Sequence, residues 1–139
     1  METISLKGIV SFFILGRKWT DGNGNTYFAN KIYISAEDIQ QRHGLLHCTR
    51  WSYGYGQQWR EDAAFHLMRY LTAGEEGHDL RALRKLCEDK NILLITDCAI
   101  VSTKKELRRW TSTIDSELLC RSYNHIPRPV WTREVCRAL

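Results

Sequence analysis

A short turn sequence, Asp21-Gly22-Asn23-Gly24-Asn25, separates two segments rich in β-branched and aromatic residues, Ile4–Leu15 and Thr26–Ser35. Asp-Gly and Asn-Gly are dipeptides that hairpin turns favour, because glycine accepts the positive φ angles that such turns require. The flanking segments have the composition of strands. We therefore predict that they pair as antiparallel strands of one sheet.

The segments that follow predict the remaining elements of an α+β domain. Leu45–Tyr53 is expected to form a third strand, and the nearly continuous apolar run Ile92–Val101 a buried fourth strand. Apolar residues recur every three or four positions in Gln57–Ala73 and in Leu80–Lys90, which predicts two helices. The predicted fold is a single domain, residues 1–139, with an antiparallel sheet of about four strands and two or three helices packed on one face.

The positive charge of the chain is concentrated in its second half. Residues 80–139 contain twelve Lys or Arg against seven Asp or Glu, whereas residues 1–79 contain eight against nine. Near the C-terminus, the prolines of Ile126-Pro127-Arg128-Pro129 favour extended backbone. We expect residues 127–139 to form a tail that can lie outside the domain, with a short final helix within Val130–Leu139.

A short basic helix is predicted directly after the fourth strand. Thr103 and Glu106 form a capping box, and the helix should turn Leu107 inward and its cations outward. Cations four residues apart repel each other unless an anionic partner or local acids compensate. Basic and aromatic residues of this helix and of the tail form the predicted partner-binding set: Lys104, Lys105, Arg108, Arg109, Trp110, Arg128 and Trp131. A solvated basic face, neutralised locally by acids such as Glu106, is the alternative.

The aromatic and glycine-rich sequence Trp51-Ser52-Tyr53-Gly54-Tyr55-Gly56 leads from the third strand into the first helix. Its rings can stack on bases, and the start of a helix can hold a phosphate. The alternative ligand site therefore consists of Trp51, Tyr53, Tyr55 and Gln57. In the simpler interpretation, the glycines only permit the turn from strand to helix.

Cysteine spacing and missing motifs argue against a metal centre or an enzyme. The five cysteines are odd in number and include no Cys-x-x-Cys pair, so we expect reduced thiols. A zinc site built from His43, His47 and Cys48 with Cys120 or His125 is disfavoured, because these residues match no zinc motif. Phosphate-loop, nucleophile-elbow and His-Glu-x-x-His motifs are absent from the sequence. We expect no catalysis, no cofactor and no metal; an enzyme of unrecognised mechanism is a further alternative, since the absence of a motif does not by itself exclude activity.

The first 70 residues resemble uncharacterised small proteins of bacteriophages and other mobile elements. The resemblance lies in Asn25-Thr26-Tyr27, in Lys31-Ile32-Tyr33-Ile34 and in the Tyr-Gly-Tyr-Gly turn followed by Gln57-Gln58. The chain departs from that pattern by a longer polar segment, Ser35 to His47. The resemblance implies a factor that acts against host defence or takes over host processes by binding, and it transfers no site residue.

Two classes of function follow from these features. The first is a non-enzymatic phage or mobile-element protein that inhibits a host defence complex, as anti-CRISPR proteins do, through a surface rich in Trp and Arg that contacts a protein or a ribonucleoprotein. The second is a nucleotide or nucleic-acid binder, such as a sponge for a signalling nucleotide. An apolar run long enough to span a bilayer is absent from the sequence, and Met1-Glu2-Thr3 lacks the basic cluster of a secretory signal. We expect a protein of the bacterial cytoplasm that binds no membrane, as a monomer or a homodimer.

Overall fold

A computed structural model describes residues 6–36, 44–72, 79–112 and 132–138. In chain order, the elements within these ranges are β1 (Ile9–Thr20), β2 (Thr26–Ala36), β3 (Gly44–Tyr53), α1 (Gln58–Thr72), α2 (Leu80–Lys90), β4 (Leu93–Ile100), α3 (Lys104–Thr111) and β5 (Thr132–Ala138). The α+β class is confirmed. The four predicted strands and the three predicted helices between residues 1 and 112 are all present, although β1 extends to Thr20 rather than ending at Leu15.

The predicted hairpin forms between β1 and β2, which pair antiparallel from Thr20 opposite Thr26. The side chain of Asp21 holds the turn, because one of its carboxylate oxygens accepts hydrogen bonds from the backbone amides of Asn23 and Asn25 at 2.9 Å each. These amides, Asn25 foremost, hold the pKa of Asp21 below its ordinary value. Gly24 has a φ of 83°, which glycine adopts without strain.

The sheet is mixed, so the prediction of an antiparallel sheet is wrong. The strand order is β3-β2-β1-β4-β5, and β4 runs parallel to β1. Neighbouring parallel strands need a long crossover connection. Helices α1 and α2 provide it, because they carry the chain from β3, at one edge, to the far side of β1.

The prediction of a C-terminal helix is also wrong. Residues 132–138 form β5, which pairs parallel to β4 from Leu94 opposite Thr132 to Ile100 opposite Ala138. The free edge of β4 offers backbone groups that a further strand satisfies. This part of the tail therefore belongs to the sheet rather than lying outside the domain; residues 127–131 and 139 are outside the described residues.

The two faces of the sheet carry separate cores, because side chains alternate along each strand. As predicted, α1 and α2 cover one face, where they pack on Phe12, Ile14 and Leu94. Helix α3 packs on the opposite face, against Phe13, Leu15 and other buried residues. The expectation that any third helix shares the face of the first two is therefore wrong. None of the helices in the described ranges is long and apolar enough to cross a membrane.

The contact between β1 and α1 leaves no room for a side chain at Gly16. A Cβ atom placed there would lie 2.4 Å from a ring carbon of Trp59, which is itself buried. Glycine at this position lets the indole of Trp59 lie directly on the backbone of the central strand. The first helix is thereby held close to the sheet.

We predict that Gly16→Ala lowers the free energy of unfolding by about 1–3 kcal/mol, because the added methyl group overpacks the contact with Trp59. Gly22→Ala is the matched control, since no atom lies within 4 Å of the position that its Cβ would take. Urea unfolding of both variants measures the effect. Equal stabilities of the two variants would contradict the close packing of Trp59 on Gly16.

Candidate functional site

Helix α3 begins after the predicted cap, Thr103, and turns the predicted side toward the sheet. The Thr103 hydroxyl accepts a hydrogen bond from the backbone amide of Glu106 at 3.1 Å, which caps the helix. Leu107 is buried against the sheet. Glu106 is exposed, and so are the four cations of the helix: Lys104, Lys105, Arg108 and Arg109.

Trp110 does not belong to this exposed surface, contrary to the prediction that it contacts a partner. Its ring is largely buried, with the Lys31 Nζ 4.2 Å and the Arg17 Cζ 4.7 Å from the ring centroid. Cation–π contacts of this kind are strongest where water is excluded. Trp110 therefore anchors α3 on the sheet. The other aromatic residue of the predicted partner set, Trp131, and Arg128 lie outside the described residues.

Three aromatic residues from three adjacent strands form a cluster beside α3. The rings of Tyr27 and Trp51 are nearly parallel with their centroids 4.7 Å apart, and Trp19 stacks on Tyr27 at 5.8 Å. We call Trp19, Tyr27 and Trp51 the aromatic cluster. Trp51 is 38% exposed, so one indole of the aromatic cluster is accessible to solvent.

Two cations of α3 lie over the exposed member of the aromatic cluster. The Lys104 Nζ is 5.2 Å and the Arg108 Cζ 6.0 Å from the centroid of the Trp51 ring. The sequence suggested the basic helix and the aromatic turn as alternative sites. The structure brings them together, and we call Trp51, Tyr53, Tyr55, Lys104 and Arg108 the aromatic–cationic surface.

Tyr53 and Tyr55 continue this surface toward the end of β3. Both are about half exposed, and their hydroxyl oxygens are 2.6 Å apart in a hydrogen bond. That hydrogen bond raises the pKa of Tyr53. The Tyr55 hydroxyl also donates to the side-chain oxygen of Asn25 at 3.4 Å, which ties the pair to the hairpin turn.

Gly56 and Gln57 shape the turn that follows. Gly56 has a φ of 57°, which confirms that a glycine is used to turn the chain from strand into helix. Gln57 is exposed, and its carbonyl oxygen accepts hydrogen bonds from the amides of Arg60 and Glu61. Gln57 thus contributes its backbone to the start of α1.

A second group of polar side chains lies on the other face of the sheet, between β3 and α1. One oxygen of Asp62 accepts hydrogen bonds from the side chains of Asn30 at 2.8 Å and Thr49 at 2.9 Å. The rings of His47 and His66 are stacked with their centroids 4.2 Å apart. We call these five residues the polar cluster. The sequence analysis did not identify it, although the spacing of Asp62 and His66 on a helix could have drawn attention to it.

An irregularity in β3 allows one strand to serve both faces. The pairing with β2 shifts between Phe28 and Asn30, where β3 contributes one extra residue. Before this bulge, His47 and Thr49 point toward α1; after it, Trp51 and Tyr53 point toward α3. Without the extra residue, the alternation of side chains would place these four residues on one face.

The residues considered for zinc do not converge in the part of the chain that the structure describes. His47 and Cys48 are adjacent in a strand and face opposite sides of the sheet, while His43, Cys120 and His125 lie outside the described residues. Among the described residues, no group of three or more His, Cys, Asp or Glu side chains is arranged to hold a metal ion.

Burial and charge shape the ionisation of the polar cluster. Burial lowers the pKa of His47, and the neighbouring His66 lowers it further, while Asp62 raises it to a smaller extent. The ring of Tyr70 of α1 lies edge-on to the His47 ring, with the two centroids 6.0 Å apart. Protonation of His47 therefore opposes the packing of β3 against α1.

We predict that the free energy of unfolding falls as the pH drops below the ordinary histidine pKa of about 6.5. Because the pKa of His47 is lower in the folded state, the unfolded chain binds the proton first. The stabilising effect is fully present above about pH 6.5 and is lost below it, with a slope of at most about 1.4 kcal/mol per pH unit for this one group.

Urea unfolding at several pH values, with the parent chain and His47→Phe side by side, measures this effect. The variant keeps a ring beside His66 but has no titratable nitrogen at that position. Its stability should therefore depend less on pH than that of the parent. The same pH dependence in both proteins would exclude His47 as the cause.

Comparison of the chain with protein-family models, with curated proteins and with solved structures gives no match. No residue role therefore comes to this chain from another protein. What the surface can bind follows from its own side chains: an exposed indole, two exposed phenols and two cations held beside them.

Proposed function

We propose that this protein binds nucleotides or nucleic acid, and that the ligand occupies the aromatic–cationic surface. The observation that carries the proposal is the placement of Lys104 and Arg108 over the exposed ring of Trp51. Nucleotides combine a flat aromatic base with an anionic phosphate. A surface that offers aromatic faces and cations within one nucleotide's reach is complementary to both parts.

When a nucleotide binds, Lys104 and Arg108 can leave the Trp51 ring and contact the phosphate instead. Lys104 and Arg108 have long, flexible side chains, and cation–π contacts at exposed sites contribute only about 0.5–1 kcal/mol. A base that stacks on Trp51 displaces them from the ring. Their charges then reach the phosphate of the bound nucleotide, so the cost of displacement is offset by an ion pair with the ligand.

The charges of α3 also favour an anionic ligand. Lys104 and Arg108 are four residues apart and repel each other, as do Lys105 and Arg109, at a cost of a few tenths of a kcal/mol per pair. A polyanionic ligand removes this repulsion. The exposed cations therefore favour an anionic partner over a neutral one.

Inhibition of a host defence complex stays a prediction, as do the absence of catalysis and a location in the bacterial cytoplasm. Trp and Arg are also common at protein interfaces. The two functions differ in their response to salt, because phosphate binding weakens steeply as salt rises. Binding through the aromatic–cationic surface is compatible with either function if the host complex contains exposed nucleic acid.

We predict that Lys104→Glu combined with Arg108→Glu weakens the binding of a fluorescein-labelled oligothymidylate by more than tenfold, because two cations beside the stacked base become anions. Fluorescence anisotropy at physiological ionic strength measures the affinity. The slope of log affinity against log salt should also become shallower, by about 0.7 for each lost phosphate contact.

Lys105→Glu combined with Arg109→Glu is the matched control. It changes the net charge of the protein by the same amount as the first double variant, and its two residues also lie in the first and last turns of α3. Unlike Lys104 and Arg108, they do not lie over Trp51. The control should weaken binding by about threefold or less, since charges outside the direct contact are screened. Equal losses in the two double variants would show that only net charge matters and would contradict the proposed site.

A further inference from the structure

We propose that the ligand is an extended single strand of nucleic acid that places successive bases on the aromatic–cationic surface. This inference rests on the proposed function and specifies the class of ligand. It goes beyond nucleotide binding because it requires at least two linked nucleotides with unpaired bases.

The exposed rings follow one another along the chain. Trp51 and Tyr53 are alternate residues on the same face of β3, which places them about 6–7 Å apart along the strand. Tyr55 follows, with its ring 5.2 Å from that of Tyr53 and at 84° to it. The three side chains are 38%, 54% and 51% exposed. One base covers one of these rings, so covering all three takes a strand with several bases that are not stacked on one another.

Only unpaired bases can use these rings. In a duplex the faces of the bases are covered by their neighbours in the stack, and the outer surface consists mainly of phosphate and sugar. Proteins that bind single strands combine aromatic side chains for the bases with cations along the backbone. The aromatic–cationic surface has both parts on one side of the sheet.

The spacing of the cations fits a strand that runs along α3. Lys104 and Arg108 are one helical turn apart, about 6 Å along the axis. This is close to the separation of Trp51 and Tyr53 along β3. Both side chains reach the Trp51 ring, so the two phosphates that flank a base stacked on Trp51 can each pair with one cation.

Length and strandedness test this inference. Affinities are measured by fluorescence anisotropy, with unlabelled competitors for the shortest ligands, for thymidine monophosphate, for oligothymidylates of two, four and eight nucleotides and for the matching oligouridylates. A DNA duplex of sixteen base pairs completes the set. It carries more phosphates than any of the single strands, so tighter binding of a single strand cannot come from charge alone. We expect the affinity to rise at least tenfold from one to four nucleotides in the DNA series, the RNA series or both, and the single strand to bind at least tenfold more tightly than the duplex.

Aromatic variants test the stacking itself. Trp51→Ala should weaken binding of the eight-nucleotide strand about fivefold or more, the loss typical of one stacked base, while Trp51→Phe should retain most of the affinity. Phe65→Ala is the matched control, because Phe65 is an exposed ring with a cation, Arg69, 5.7 Å from its centroid, on the other side of the sheet. Circular dichroism verifies that each variant is folded. If Trp51→Ala is not, Trp51→Leu, which keeps an apolar side chain but has no ring, should show the same loss of affinity.

The outcomes separate this inference from the proposed function. If the mononucleotide binds as tightly as the longer strands, or the duplex as tightly as the single strand, the inference is wrong and the proposed function stands. If neither DNA nor RNA of any length binds at low salt, both are wrong, and a protein becomes the partner to seek. Equal losses in Trp51→Ala and Phe65→Ala would also overturn the inference.

Discussion

The packing of Trp110 against the buried cations of β1 and β2 fixes the position of the aromatic–cationic surface. Lys31 is fully buried in the middle of β2, and a charge removed from water is costly unless other groups stabilise it. The Trp110 ring supplies part of that stabilisation, with the Lys31 ammonium 4.2 Å and the Arg17 guanidinium 4.7 Å from its centroid. Because Trp110 lies in the last turn of α3, these contacts fix the helix on the sheet. The orientation of the helix is then set, and its outward side places Lys104 and Arg108 over the Trp51 ring.

The edge strand β3 connects this surface with the opposite side of the sheet. Its bulge assigns Trp51 and Tyr53 to the face of α3, and His47 and Thr49 to the face of α1. The carboxylate of Asp62 holds β3 against α1 by accepting a hydrogen bond from the Thr49 hydroxyl. The side chain of Asn30 in β2 donates a hydrogen bond to the same carboxylate oxygen. The polar cluster therefore positions the strand that presents the exposed rings, although it lies on the opposite face of the sheet. If the proposed function is correct, a substitution in the polar cluster affects binding through the position of β3.

Local patterns in the sequence were sufficient for most elements and insufficient for their assembly. The Asp-Gly and Asn-Gly dipeptides predicted the hairpin, and Thr103 acts as the expected N-cap of α3, accepting a hydrogen bond from the backbone amide of Glu106. The parallel pairing of β4 and the strand β5 depend on contacts between distant segments, which local periodicity does not encode. The cations of α3 and the aromatic residues at the end of β3 were each predicted from the sequence as binding residues. Their meeting was not predictable, because about 50 residues separate Trp51 from Lys104 and only the docking of α3 joins them. Trp110 was misassigned because its neighbours in sequence are exposed cations, whereas its neighbours in space are buried ones.

Nuclear magnetic resonance can locate the surface of the protein that a single strand contacts. Protein labelled with nitrogen-15 is titrated with an eight-nucleotide single strand, and the shifts of backbone amides and tryptophan indoles are followed. If the strand binds at the aromatic–cationic surface, as we propose, the largest shifts occur at the Trp51 indole, at the amide of Tyr53 and along α3, while the buried Trp59 indole and the amides of α2 change little. Shifts that centre on α1 and α2, with the Trp51 indole unchanged, would contradict binding at this surface.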